Sequence, residues 1–467
     1  MRYVMKFGGS SLADAQSIRN SIKIVEQYLQ KGAQVAVVAS ALSEVTNGLV
    51  DAADEAAAGE IATVNAFVKK QREFHNSIVN ECIHEKDILT KVTRELDDAL
   101  GELEGILESV ARLKELTPRS RDFILSFGER MSAPILCGTS NDMRVRAEWF
   151  SGTDAGITTD ENFGDAYPLM DITVRNVKAK LEPLLNSGVV PVVAGYGASS
   201  PHGIATTLGR GGSDYTATIV GAALAADEIV LWKDVDGLMT ADPDLEPDAR
   251  VLPRVSYSEA SEMAYFGTKA IHPRAMEPVI DTKIPIRIRN AFNLPNEGTL
   301  IHGDKLERTE EVVKAITLVK KVAMINVTGT GMQGLPGVAA RIFKTLGDFG
   351  INILMISQSS SEAGISFVTA RDKLQRATSA LELSILGSRL AKNLSAEDDV
   401  CVIAAVGAGM KGTLGVAARV FKAVADAGVN VRMIAQGSSE LNISFVVSEK
   451  DGPTAVHALH DEFDLGR

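Results

Sequence analysis

Thiols are scarce in these 467 residues. The three cysteines, Cys82, Cys137 and Cys401, are odd in number, far apart and in no CxxC pair. That pattern excludes a disulfide framework and a thiolate zinc site, and Cys137 and Cys401 read as core filler. An excess of positive charge is also missing. The formal net charge is −12 and no stretch concentrates Lys and Arg, which argues against a nucleic-acid surface and for small-molecule partners. Nowhere do about 18 apolar residues follow one another, and no apolar stretch stands behind the opening Met1-Arg2-Tyr3-Val4-Met5-Lys6. The expectation is a cytoplasmic protein with no membrane partner. With 45% hydrophobic and 23% charged residues the chain has an ordinary globular composition, and its length suits two or three domains.

What is present is a repeat. Gly331, Met332, Gly337 to Arg341, Phe343, Gly350, Asn352, Met355, Ile356, Gln358 and Ser360 to Glu362 recur 78 residues on without a gap, from Gly409 and Met410 to Glu440. A shared core explains the apolar positions but not the returning Asn, Gln, Ser and Glu, which suggest a paired ligand site. Two small binding modules behind some 300 residues of different texture suggest a catalytic part controlled by a sensed small molecule.

Tyr3–Phe7 and Gln34–Ala39 read as buried strands around an amphipathic helix from about 14 to 30. Residues from about 43 to 117 read as a helical insertion. A helix over 119–136, a strand over 143–149, a helix over 171–186 and the run 189–194 follow, then a helix over 213–226 and strands over 228–232 and 285–290. This alternation implies an α/β domain, 1–305, with a mostly parallel sheet covered on both faces by helices. Each repeat reads strand, glycine loop, helix, strand, strand, helix, which predicts two ferredoxin-like modules, 306–395 and 396–467. Neither has a clear final strand, and the run 312–319 could supply an edge.

Gly329-x-Gly331-x-x-Gly334 and Gly407-x-Gly409-x-x-Gly412 both match a dinucleotide fingerprint. The acid that should hold the ribose is absent; Gln358 and Gln436 stand at the ends of the next strands. A glycine loop before a helix can equally hold an amino acid's carboxylate.

Lys6-Phe7-Gly8-Gly9-Ser10-Ser11 leaves the first strand and enters a helix, and Arg210-Gly211-Gly212-Ser213-Asp214 opens another. Backbone amides at two helix starts, with Lys6 and Arg210, could cradle one highly charged group. That pairing suggests phosphoryl transfer, where catalysis is mainly positioning and charge neutralisation. Asp214 has a bland reading, helix-dipole stabilisation, and a functional one, an acid that orients catalytic lysines. The Asp-rich run Trp232-Lys233-Asp234-Val235-Asp236-Gly237 could be a turn or a nucleotide edge.

Together these segments resemble the amino-acid kinase family and, within it, the aspartate kinases. The resemblance runs through Lys6-Phe7-Gly8-Gly9, Val45-Thr46-Asn47, Phe127-Gly128-Glu129-Arg130, Arg210-Gly211-Gly212-Ser213-Asp214, Asp234-Val235-Asp236-Gly237 and Phe266-Gly267-Thr268-Lys269, and ends in two modules similar to ACT domains. It implies a kinase making 4-phospho-L-aspartate from L-aspartate and ATP with Mg2+, the first step towards lysine, threonine and methionine. Lys6 and Asp214 would be catalytic, and Thr46, Glu129, Arg210 and Ser213 would hold aspartate. Lys6, Gly8, Gly9, Ser10, Lys233, Asp234 and Lys269 would hold the nucleotide, with no dedicated protein metal ligand. Gly337, Asn352, Gln358, Gly415, Asn430 and Gln436 would bind an inhibitory amino acid, threonine before lysine, though Glu362 and Glu440 keep lysine open. A homodimer or dimer of dimers through the ACT modules is expected.

Lys233, Met239 and Asp244 stand where the family often has Thr, Tyr and Arg, which leaves the adenine contacts open. His272 reads as structural, since an ionised carboxylate acceptor needs no general base. A glutamate or acetylglutamate kinase would share the phosphate cradle but lack the paired modules. A non-catalytic amino-acid sensor would not need Lys6, Glu129, Arg210 and Asp214 intact. The end of the chain soon after the last helix reads as a monofunctional kinase rather than the front of a bifunctional one.

Overall fold

The fold is described from a computed structural model of the chain, over residues 1–268, 270–303, 311–329, 332, 335–359, 363–386 and 391–467. It divides into two compact units. The first comprises Met1–Leu238, Pro253–Tyr257 and Lys269–Asp304; the second comprises Met239–Leu252, Ser258–Thr268 and Lys305–Arg467. Two segments that precede residue 305 in sequence therefore pack with the C-terminal repeats.

The first unit is built on an eight-stranded sheet. Its strands are β1 (Arg2–Phe7), β2 (Gln34–Ala39), β3 (Ala147–Phe150), β4 (Val190–Ala194), β7 (Glu228–Lys233), β8 (Arg254–Ser256), β9 (Ile286–Asn290) and β10 (Thr299–His302), in the order β3-β4-β2-β1-β7-β9-β10-β8. A hairpin of β5 (Gly197–Ser199) and β6 (Ala205–Thr207) stands apart from it. All pairs from β3 to β9 are parallel, which requires helices on both faces and explains why β1, β2, β4 and β7 are nearly continuous apolar runs. Register aligns the carboxyl ends: Phe7 pairs with Ala39 and Trp232, and Ala39 with Ala194. The chain runs from β1 to β2 on one side and reaches β7 on the other, so a topological switch falls at the end of β1, where open α/β sheets bind ligands.

The helix Ala15–Gln30 starts at Asp14, whose carboxylate accepts from Ser17 N–H at 2.7 Å, and buries Ile18, Ile22 and Val25. Helices Val45–Ala58, Ile61–Cys82 and Lys86–Leu113 occupy the expected insertion; Leu96, Leu100, Leu103, Leu107 and Val110, at steps of four and three, form its buried stripe. The helix expected over 119–136 is two, Pro118–Leu125 and Phe127–Asp142, which places Glu129 in a first turn.

The second unit carries a six-stranded antiparallel sheet of β11 (Ala315–Thr328), β12 (Met355–Gln358), β13 (Gly364–Ala370), β14 (Asn393–Val406), β15 (Met433–Ala435) and β16 (Asn442–Ser448), ordered β12-β13-β11-β14-β16-β15. The two long strands are shared. Ala315–Val319 pairs with Val402–Val406, while Met324–Thr328 pairs with Asn393–Glu397 and with β13. Each repeat is thus completed by one end of the other's long strand, and 315–319 is the edge that the sequence left missing. This exchange accounts for the first glycine of each loop. A Cβ on Gly329 would lie 2.7 Å from the Lys392 nitrogen, and one on Gly407 would lie 2.5 Å from the Val312 carbonyl oxygen. The glycines let the exchanged strand pass. No described helix is long and apolar enough to cross a membrane.

Candidate active site

At the carboxyl ends of β1 and β7 two lysines converge on one acid. Lys233 Nζ donates to Asp214 Oδ2 at 2.7 Å, and Lys6 Nζ lies 2.7 Å from Oδ1, off the hydrogen-bonding direction. Lys6 and Lys233 come from adjacent strands, and Asp214 from the first turn of helix Gly212–Ala223. All three are largely shielded from solvent. Burial would raise the Asp214 carboxyl, but the ammonium of Lys233, then that of Lys6, outweighs it and holds the group at about 2. Burial pushes Lys6 below its ordinary value, with Asp214 opposing. The local balance is two cations against one anion.

A second buried acid faces the same space. Glu129, 4% exposed, accepts from Ser213 Oγ at 3.0 Å through Oε1, while Oε2 has no hydrogen-bond partner. Burial raises its carboxyl to about 7, against the pull of the Ser213 hydroxyl. Thr46 packs near the residue before it, since a Cβ on Gly128 would lie 3.7 Å from Thr46 Oγ1. Arg210 is exposed in the turn before helix Gly212–Ala223.

The glycines of the first loop divide their tasks. Gly8 N–H donates to the Trp232 carbonyl at 3.2 Å, so that amide is already used. A Cβ there would stand 3.6 Å from Lys6 Nζ, an ordinary contact, so Gly8 borders the lysine without being sterically required. Gly9 and Ser10 begin the 3-10 turn Ser10–Leu12. Asp234 is exposed at the end of β7, and Asp236 is held by Asn290 at 2.7 Å and Asn293 at 3.1 Å. Lys269 lies outside the described residues. Among those described, no group of three or more His, Cys, Asp or Glu is placed to hold a metal ion.

Three features of this region left no mark in the sequence reading. Tyr196 has φ of 65°, and Gly197 N–H bonds the Gly195 carbonyl at 2.6 Å across it, a γ-turn of the rare positive-φ kind. Its ring packs where a Cβ on Gly212 would be, 2.6 Å from Cδ2, and burial pushes its hydroxyl up to about 12. Asp122 is buried and accepts from Gly164 N–H at 3.0 Å and from Thr207 N–H and Oγ1 at 2.9 Å, which fixes the hairpin that follows Tyr196. Gly-x-Gly around Tyr196 was the one available signal.

The expected effector residues fall at corresponding places in the two repeats. Gly337 and Gly415, with φ of 90° and 83°, precede helices Val338–Asp348 and Val416–Asp426. Asn352, Asn430, Gln358 and Gln436 are exposed on the approaches to and ends of β12 and β15. Glu440 accepts from Gly412 N–H at 2.7 Å, and Glu362 lies outside the described residues. In the second repeat the loop amide of Ala408 is already taken, at 2.9 Å, by the carboxylate of Glu259.

Comparison with known proteins accords with this layout. The pattern of the amino acid kinase family matches residues 1–290, and that of the ACT domain matches 325–384 and 403–463. The chain is 35% identical over 475 residues to the chloroplastic bifunctional aspartokinase/homoserine dehydrogenase of Daucus carota, covering 99% of this chain and 51% of that protein. It therefore spans about half the length of the bifunctional relatives it matches. It is 32% identical to the chloroplastic aspartokinase 1 of Arabidopsis thaliana, covering 98% of this chain and 80% of that one. Among solved structures, E. coli aspartokinase III in complex with aspartate and ADP (R-state) aligns with a TM-score of 0.84 at 26% identity, covering 99% of both chains. The same enzyme with lysine and aspartate (T-state) aligns with a TM-score of 0.80 at 27% identity over the same share of both.

Proposed function

Because the chain belongs to the amino acid kinase family, among its aspartokinases, we propose that it transfers the γ-phosphoryl group of ATP to the side-chain carboxylate of L-aspartate, giving 4-phospho-L-aspartate. The observation that carries this reading is the uneven charge of the buried cluster: two lysines share one carboxylate beside a glutamate with a free oxygen. Lys6 and Lys233 have positive charge left to meet phosphoryl oxygens, and Asp214 keeps both ammoniums in place while negative charge spreads over the transferring group. Glu129 Oε2 meets the acceptor's ammonium, Arg210 grips a carboxylate through parallel N–H bonds, and Ser213 and Thr46 supply hydroxyls. The attacking carboxylate is ionised near pH 7 and needs no base. Mg2+ would come with the nucleotide and add positive charge at its phosphates, and Gly9, Ser10 and Asp234 are the residues that would hold the nucleotide.

The repeats bind an inhibitory amino acid, and threonine is the effector proposed. Amides at Gln358 and Gln436 suit a hydroxyl, and Glu440 is engaged by Gly412. The assembly proposed is a homodimer or dimer of dimers through these modules, which leave β12 and β15 as the sheet's outer strands. The test is ATP-dependent acyl phosphate formation, trapped with hydroxylamine, on aspartate, glutamate and acetylglutamate, each with and without threonine or lysine. Aspartate alone should react, and threonine should slow it. Preferential turnover of glutamate or acetylglutamate would overturn the acceptor, and inhibition by lysine alone would overturn the effector.

A further inference from the structure

Arg210 stands in a turn with a glycine on each side. Gly209 and Gly211 have φ of 72° and 76°, and Gly212 N–H closes the turn on the Gly209 carbonyl at 2.9 Å. Both glycines do more than supply positive φ, because a side chain presses on each. A Cβ on Gly209 would lie 2.4 Å from Asp165 Oδ1, and one on Gly211 would lie 2.6 Å from His272 Cβ and 3.3 Å from its ring. The turn is gripped from both ends.

Arg274 ties the two jaws together. It lies two residues past His272, in the turn Pro273–Met276, and pairs with Asp165. It donates to the Ala166 carbonyl at 3.1 Å, and its guanidinium lies 4.2 Å from the Tyr167 ring centre and 5.1 Å from that of Tyr215, on the helix that the turn opens. With a carboxylate, a carbonyl and two rings around it, Arg274 is a brace rather than a free cation for substrate. His272 Nδ1 is closed to solvent and has no hydrogen-bond partner among the described residues, so shape and not a hydrogen bond at that atom seats the ring.

We propose that Asp165, His272 and Arg274 form a clamp that positions the Arg210 turn for the acceptor's carboxylate; the proposal rests on the acceptor reading given above. Bidentate recognition by arginine depends on the orientation of the guanidinium plane, and an exposed side chain between two glycines has no intrinsic orientation. These three residues act through Arg210 and are positioning groups, not catalytic ones. The arrangement also gives His272 a structural task that needs no proton transfer.

The test is steady-state kinetics of the full chain carrying Asp165→Ala, His272→Ala or the conservative His272→Asn. The clamp predicts that KM for aspartate rises at least about tenfold in both alanine variants while kcat and KM for ATP stay within about threefold, since only acceptor orientation is lost. His272→Asn, which keeps a planar group on Gly211, should recover most of the loss. Folded variants with an unchanged aspartate KM, or with kcat and both KM values altered together, would overturn the clamp while leaving the acceptor reading intact. A wild-type enzyme inactive on aspartate would overturn that reading and the clamp with it. Should His272→Ala fail to fold, Asp165→Ala carries the test, because its side chain is 58% exposed.

Discussion

Two buried lysine–carboxylate clusters, one in each compact unit, use the same chemistry to opposite ends. In the second unit Lys314 Nζ meets Glu259 Oε2 at 3.0 Å, and the other oxygen of Glu259 accepts from Ala408 N–H at 2.9 Å. Among the described residues one cation faces this anion, and both carboxylate oxygens are bonded. In the first unit two cations face Asp214, whose Oδ1 is approached off the hydrogen-bonding direction, and Glu129 keeps an oxygen with no partner. A buried pair that only holds a fold together must close its balance, since uncompensated charge inside a protein is costly. A cluster left uneven is waiting for the charge of a ligand.

Replacing the acid between the lysines gives the largest effect. Asp214→Asn should lower kcat on the order of a thousandfold, measured by ADP release, because two ammoniums lose the group that orients them. A loss of less than about tenfold would place the phosphoryl group elsewhere. Glu129→Gln comes next, raising KM for aspartate about ten- to a hundredfold with little change in KM for ATP, as expected when a charged hydrogen-bond partner is lost.

The same residue should set a pH dependence. Burial keeps the Glu129 carboxyl protonated up to about 7, so as pH falls through that value the ammonium partner disappears and the wild-type aspartate KM rises. Glu129→Gln should remove this step. By linkage the folded chain holds a proton that the unfolded chain releases nearer its usual value, 4.5, so this group weakens the ligand-free fold as pH rises between the two. Aspartate KM measured from pH 6 to 8.5 in both proteins checks the sign; a parallel rise in the two would assign the titration to another group. Gln358→Ala is the smallest perturbation, weakening threonine inhibition several-fold by the loss of one neutral hydrogen bond without changing uninhibited turnover.

How much of this was legible depended on distance along the chain. Lys6 with Gly8 and Gly9, and Arg210 with Ser213 and Asp214, announce themselves because a strand end and a helix start gather them within a few residues. The repeat announced its own fold, and even its missing edge strand. Partners brought together by packing stayed hidden: Asp122 and Thr207 are 85 residues apart, and Glu259 and Lys314 are 55 apart. From sequence Lys233 reads as a nucleotide contact, and its bond to Asp214 emerges only in the fold, where parallel register pairs Lys6 with Leu231 and so puts Lys233, two residues on, on the same face of the sheet. The glycine loops carry a role that their spacing does not show. Their spacing suits an anion cradle, and Gly329 and Gly407 also make room for the strand exchanged between the repeats. Residues 239–252 and 258–268 read as continuous with the N-terminal domain, yet their contacts lie with the repeats, including Thr240 to His460 at 3.0 Å.

The contrast between the two clusters can be put to one paired measurement, turnover and melting temperature of Lys6→Met and Lys314→Met beside the wild type. Burial already disfavours the Lys6 ammonium, so Lys6→Met should lose nearly all acyl phosphate formation while melting at or above the wild-type temperature. Lys314→Met removes the ammonium that Glu259 Oε2 meets, which should cost about 3 kcal/mol of stability and lower the melting temperature while uninhibited turnover persists. The crossed result, a Lys6→Met enzyme that turns over but melts early and a Lys314→Met enzyme that is stable and inactive, would contradict the account.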